Sequence, residues 1–222
     1  MNNEFIFSTN NNLLNIFTSN SLENIKDKYH LEKCCELNQI HSDIVILVDK
    51  YCQSNLSADA MITKEKNLPL LIKTADCIPI LLYDQENEVI ALIHSGWKGT
   101  LNNITNKTIA KMIDIYNTNP NNITVYIYPS IRKCHFEVEN DVYTLFKNKI
   151  KNINKYTTRK GNKYYIDLQQ IVINSLHELG INNIYDSNTC TYCHHDKFYS
   201  YRYNHTDKRN YLIAMIKESK WK

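Results

Sequence analysis

The chain has 222 residues, 43% of them hydrophobic and 22% charged, with a formal charge of +3. That length and balance fit one globular domain with a continuous core and exclude wholesale disorder; the scattered basic residues argue against a nucleic-acid-binding stripe. The longest apolar runs, 68–72 and 78–83, fall far short of the roughly 20 residues a bilayer span needs, and the first 20 residues lack the basic-then-apolar order of a secretory leader.

In chain order, 44–48, 70–73, 78–83 and 89–94 are short runs rich in Ile, Val and Leu, bounded by polar turns. They predict strands buried on both faces. Ile109, Met112, Ile113 and Tyr116 recur at helical spacing, and so do Val138, Val142, Leu145 and Phe146. Between these two predicted helices, 123–128 reads as another strand. The run 167–180 starts on Asp167, carries Leu168, Ile171, Val172, Leu176 and Leu179 on one face, and stops at Gly180, which together predict a capped helix. Several strands follow one another without a helix between them, so the expected fold is α/β (α+β), a single compact domain over 1–222 with a mixed β-sheet and flanking helices. Seven cysteines, an odd number, and no leader imply a cytoplasmic, reducing setting in which all are thiols and most are apolar filler.

Four segments combine polar side chains with apolar surroundings. Cys77 sits beside Asp76 ahead of one predicted strand and His94 closes the next, so a thiolate and an imidazole emerge at one end of a sheet. Adding His41 makes two nitrogens and one sulfur, a set that suits zinc and leaves a fourth position open. Spacing alone does not bring the three together: a histidine at a strand end also serves as a surface hydrogen-bonding residue, and a cysteine in an apolar run as core. Gly96 and Gly99, two of only four glycines, flank Trp97 and Lys98 at a strand-to-helix turn. Such a turn can hold an anion or can simply be a tight connection with Trp97 as a plug.

Cys190-Thr191-Tyr192-Cys193 invites a metal reading but lacks a second, similarly spaced ligand pair, which argues against a structural zinc site there. Tyr199, Tyr201 and Tyr203 around Arg202 form either an aromatic and basic strip for a base and a phosphate, or an alternating strand with a buried tyrosine face.

Taken in order, Gln39-Ile40-His41, Ala58-Asp59-Ala60, Thr74-Ala75-Asp76-Cys77-Ile78-Pro79, His94-Ser95-Gly96-Trp97-Lys98-Gly99-Thr100, Pro129-Ser130-Ile131, Phe136-Glu137-Val138, Cys190-Thr191, and Tyr199-Ser200-Tyr201-Arg202 with Arg209 resemble the YfiH/laccase-domain family. The resemblance covers 36–216. It implies a compact mixed-sheet fold, Zn2+ on His41, Cys77 and His94, and phosphorolysis of purine nucleosides (adenosine, inosine, guanosine and S-methyl-5'-thioadenosine) with adenosine deamination beside it. Purine nucleosides and phosphate are then the expected partners. Lys98, Arg202 and Arg209 are candidates for holding phosphate, while Asp76 either orients a ligand or acts as a base.

The chain departs from the family in lacking its Arg and Gly-Gly start within the first 32 residues, so a pocket contact made there is not expected, and in Tyr128 for the usual glycine and Arg132-Lys133 for a usual Gly-Pro, changes that could narrow the pocket or alter its charge without touching the metal. Two other functions remain open. Copper-dependent polyphenol oxidation, which the laccase name suggests, calls for His-x-His pairs, and none occurs. A non-catalytic zinc-containing nucleotide-binding module is the third reading.

Overall fold

The structure is a computed structural model that describes residues 3–7, 12–31, 33–49, 52 and 56–218. A six-stranded mixed sheet runs, edge to edge, Asn183–Asp186, Ile123–Ile127, Ile78–Asp84, Val89–Ser95, Ala60–Thr63 and Val45–Leu47. Its two outer pairings are parallel and the three inner ones antiparallel. A five-stranded sheet has the order Glu4–Phe5, Leu13–Thr18, Asn210–Ile216, Leu70–Thr74 and Cys35–Glu36, and a small sheet joins Glu137–Val138, Lys163–Ile166 and Thr157–Lys160.

The period-two alternation of side chains explains how these parts stack. Ile78, Ile80 and Leu82 face one side, where Ile104, Ile109 and Met112 of the helix Ile104–Tyr116 and Leu168, Val172 and Leu176 of the helix Leu168–Glu178 cover them. Leu81 and Tyr83 face the other side and meet Leu13, Phe17, Ile72 and Leu212 of the five-stranded sheet. Ile25 of the helix Leu22–Tyr29 then closes the outer face of that second sheet against Leu71, Ile213 and Met215. The result is a helix, sheet, sheet, helix stack with the central strands buried on both faces, a mixed α/β single domain as expected.

Local details follow the sequence signals closely at some points and not at others. Asp167 accepts from the Gln170 amide at 3.1 Å, a cap worth about 1 kcal/mol, and Gly180 ends that region with a φ of 82°. Val138, expected on a helix with Val142 and Phe146, instead pairs with Tyr164 in a strand, and the helix begins only at Asn140. The alternating tyrosine strand is a short helix, Tyr201–Asn204, with Tyr201 and Tyr203 exposed. The expectation that every cysteine is a thiol is also corrected, because Cys35 and Cys52 form a disulfide. Their Cα atoms stand 5.8 Å apart, within bonding geometry, across a separation of 17 residues that no local pattern reveals. Among the described residues no helix is long and apolar enough to cross a membrane.

Candidate metal and substrate site

The hairpin formed by Ile78–Asp84 and Val89–Ser95 sets the site. Its register pairs Pro79 with His94 and Ile78 with Ser95, so Cys77, one residue before the first strand, must lie next to the end of the second. The strand Ala60–Thr63 pairs Ala60 with Ile93, which puts Asp59 beside His94. His41 arrives from a loop in which it takes a left-handed φ of 58°. That loop is held by Gln39, whose side-chain amide copies a strand residue: its Nε2 donates to the Lys73 carbonyl and its Oε1 accepts from the Lys73 amide, both at 2.8 Å.

The ligand atoms of His41, Cys77 and His94 all lie within 4.8 Å of one another, and the two imidazole rings meet edge to face at 4.9 Å. Asp59 organises two of the three. Its Oδ1 contacts His94 Nδ1 at 2.8 Å and accepts from the His41 amide at 3.0 Å, while its Oδ2 accepts from the Ser42 hydroxyl at 2.6 Å and from the Ile40 amide at 3.3 Å. With Nδ1 so engaged, His94 presents Nε2 toward the thiol, the carboxylate–histidine pairing that fixes ring orientation in metal sites. Gly96 is required here, since a Cβ would stand 3.1 Å from His41 Cδ2 and 3.2 Å from Cys77 Sγ.

Electrostatics agree with this donor set. Burial pushes the Cys77 thiol up, but the neighbouring His94 charge and hydrogen bonds from both histidines more than reverse it, to about 6. Burial lowers His94, yet the Cys77 thiolate and the Asp59 hydrogen bond raise it to about 9. Burial also raises Asp59, and the hydrogen bonds from His94 and Ser42 overcome that to hold it at about 2. A buried thiolate and carboxylate around two imidazoles favour a positive charge at their centre, and a divalent cation fits that demand with borderline nitrogen and sulfur donors.

The trio opens onto a cavity of about 580 Å³, lined on one side by Trp97, Ile131, Phe136 and Leu168 and on another by Tyr201, Arg202 and Arg209. Asp76, buried with a φ of 91°, lies between the Cys-His-His trio and this basic wall. Its Oδ1 accepts from the Thr191 hydroxyl and its Oδ2 from the Arg202 amide, each at 2.7 Å, while its carbonyl accepts from the Ile131 amide at 2.9 Å. The Arg202 guanidinium donates to the Glu137 carbonyl at 2.8 Å and sits 5.8 Å from the centre of the Phe136 ring.

Residues 18–217 match the family described as multi-copper polyphenol oxidoreductase laccase. The chain belongs to this family. It is 36% identical over 203 residues to a purine nucleoside phosphorylase of Clostridium acetobutylicum, covering 88% of this chain and 84% of that one. It is 28% identical to the purine nucleoside phosphorylase YfiH of Escherichia coli, over 78% of this chain and 70% of the other. Its fold matches the crystal structure of a Bacillus licheniformis YfiH protein with a TM-score of 0.89, at 23% identity and 96% coverage of both chains. A Neisseria meningitidis protein of the DUF152 family matches with a TM-score of 0.87, at 23% identity over 97% of this chain and 98% of the other.

Within this family member, Arg202 and Arg209 line the cavity, whereas Lys98 does not: it is exposed, 5.6 Å from the centre of its neighbour's Trp97 ring. Tyr128, Arg132 and Lys133 also fall outside the cavity lining. Tyr128 is buried between the sheets, donates to Asn15 Oδ1 at 2.8 Å, and packs on Phe7 and Phe17, so it does not narrow the pocket. Arg132 pairs with Asp186 through both guanidinium nitrogens, at 3.0 and 2.5 Å, away from the cavity lining. Sequence reasoning gave no role to Asp59, Gln39 or Thr191, although all three stand inside quoted motifs. It also missed that Cys134 and His135 meet Cys190 and Cys193 in a second group of potential ligands.

Proposed function

We propose that this chain is a zinc-dependent purine nucleoside phosphorylase acting on adenosine, inosine, guanosine and S-methyl-5'-thioadenosine, and that it also deaminates adenosine. The observation that carries the reading is the single cavity in which a Cys-His-His trio faces two arginine-bearing positions, a cation site and an anion site within one space. Its volume lies inside the roughly 300–1,000 Å³ range of small-molecule sites. The names of the curated relatives point the same way.

In this reading His41, Cys77 and His94 hold the zinc, which would supply Lewis acidity to a group entering the cavity. Arg202 and Arg209 bind phosphate, and Lys98 drops out of that role because it lies outside the cavity lining. Trp97, Phe136 and Leu168 offer an apolar wall suited to a purine ring. A phosphate oxygen bonds to the anomeric carbon as its bond to the base nitrogen breaks; the electron pair leaves with the base, which takes up a proton. The products are free base and the sugar 1-phosphate. Asp76 serves as a positioning residue, since both carboxylate oxygens are already occupied by Thr191 and Arg202.

The decisive experiment incubates zinc-loaded protein with each nucleoside with and without phosphate. Adenine is expected from adenosine only when phosphate is present, with ribose 1-phosphate as co-product, while inosine forms without it. A sample that releases no base from any of the four nucleosides at any phosphate concentration refutes the proposal.

A further inference from the structure

A second cluster stands apart from the cavity trio. Cys134 and His135 lie on the loop after the strand Ile123–Ile127, and Cys190 and Cys193 on the turn after Asn183–Asp186. Those two strands are parallel neighbours, so their following loops leave the sheet side by side, and the isolated bridge between Ser130 and Cys190 continues the pairing to the cluster. The chain separation of more than fifty residues hid this from the sequence, where Cys190 and Cys193 lacked a partner pair.

The four ligand atoms lie within 4.8 Å of one another. Cys134 Sγ is 3.8 Å from Cys193 Sγ, and His135 Nδ1 is 3.2, 3.3 and 3.9 Å from the sulfurs of Cys134, Cys193 and Cys190. A tetrahedron with zinc–sulfur bonds of about 2.3 Å and a zinc–nitrogen bond of about 2.0 Å has edges of about 3.8 Å between sulfurs and about 3.5 Å between sulfur and nitrogen. The observed distances scatter around those edges. Two sulfurs at 3.8 Å are not a disulfide. His135 is further fixed by stacking on Tyr192 at 3.9 Å, and the Cys190 carbonyl accepts from the His194 amide at 3.0 Å, closing the Cys-x-x-Cys turn.

We propose that Cys134, His135, Cys190 and Cys193 form a second metal site, a four-ligand structural zinc site that ties together two loops of the cavity wall. One loop carries Ile131 and Phe136. The other carries Thr191, which holds Asp76, and leads to Tyr201 and Arg202. Four protein ligands leave no position for substrate, which distinguishes this site from the three-ligand trio. Cys134 and Cys193 are exposed, so a metal has a path in.

The test is metal content, measured by elemental analysis on the full chain purified without chelator, together with the spectrum of the cobalt(II) form. About two zinc ions per chain are expected in the wild type, about one in Cys193→Ser, about one in His94→Ala, and none in the double variant. Cys134→His exchanges one zinc ligand for another and should keep both ions. In the cobalt form, Cys193→Ser should weaken the thiolate charge-transfer absorbance far more than Cys77→Ala does, because the quartet carries three of the four thiolates. One zinc per chain in the wild type, lost on His94→Ala and retained by Cys193→Ser, overturns the proposal; so does a peptide map of anaerobically purified protein showing Cys134 crosslinked to Cys193. If a variant fails to fold, the wild-type cobalt spectrum decides: charge-transfer absorbance at the level of three or more bound thiolates upholds the quartet, and absorbance at the level of the single thiolate of Cys77 overturns it. None of these readouts depends on nucleoside turnover, so the failure of either proposal leaves the other standing.

Discussion

The two ligand clusters of this molecule are built by different means. The trio of His41, Cys77 and His94 hangs on hairpin register, and one buried carboxylate, Asp59, sets both the loop of His41 and the ring of His94. The quartet of Cys134, His135, Cys190 and Cys193 hangs on two loops, is partly exposed, and has no carboxylate partner among the described residues. On the reading proposed above, the trio would leave one coordination position free for chemistry, whereas the quartet would fill all of its positions with protein.

That contrast can be broken most forcefully at the trio. Cys77→Ala should lower base release at least about 100-fold, with circular dichroism and thermal melting close to wild type because the sheet remains; His94→Ala should lower it as far but also lower the melting temperature, because the buried Asp59 carboxylate loses its imidazole partner. A collapse of the fold would show that strands do not hold this site unaided. Asp59→Asn comes next: it keeps the shape but loses the charge facing His94, and competition with a chelator should show metal affinity at the trio reduced about 10- to 100-fold. An equal loss at the quartet would contradict the separation of the two clusters.

Arg202→Gln should raise the phosphate KM about 10-fold and depress base release more than inosine formation, since only the first reaction uses phosphate. Parallel losses in both reactions would assign Arg202 to the nucleoside instead. Cys35→Ser tests a crosslink that belongs to neither cluster. Removing this disulfide should cost about 3 kcal/mol in denaturant unfolding for a loop of this length, while zinc content stays unchanged.

The sequence disclosed what is periodic or local. Apolar runs announced the strands Ile78–Asp84 and Val89–Ser95, and Asp167 with Gly180 announced the helix between them. Val138 fitted the helical spacing of the next element, but pairing with Tyr164 outweighed it, a tertiary contact that spacing does not carry. The trio's candidates were visible as residue types at strand ends, yet their meeting depends on register, and His41 reaches them only through a left-handed turn pinned by Gln39. Cys134 and His135 drew no attention because adjacent ligands resemble no familiar spacing; only parallel neighbouring strands bring them to Cys190 and Cys193. The disulfide was missed for the same reason of distance along the chain.

Asp76 joins these levels in one residue. It precedes the ligand Cys77 in the chain, yet its own oxygens grip Thr191, Ile131 and the amide of Arg202. If the trio holds a cation and Arg202 an anion as proposed, any coupling between them has a direct route through this one residue. Whatever factor phosphate adds to metal affinity, the metal must add to phosphate affinity, and calorimetric titration of each with and without the other should return the same ratio.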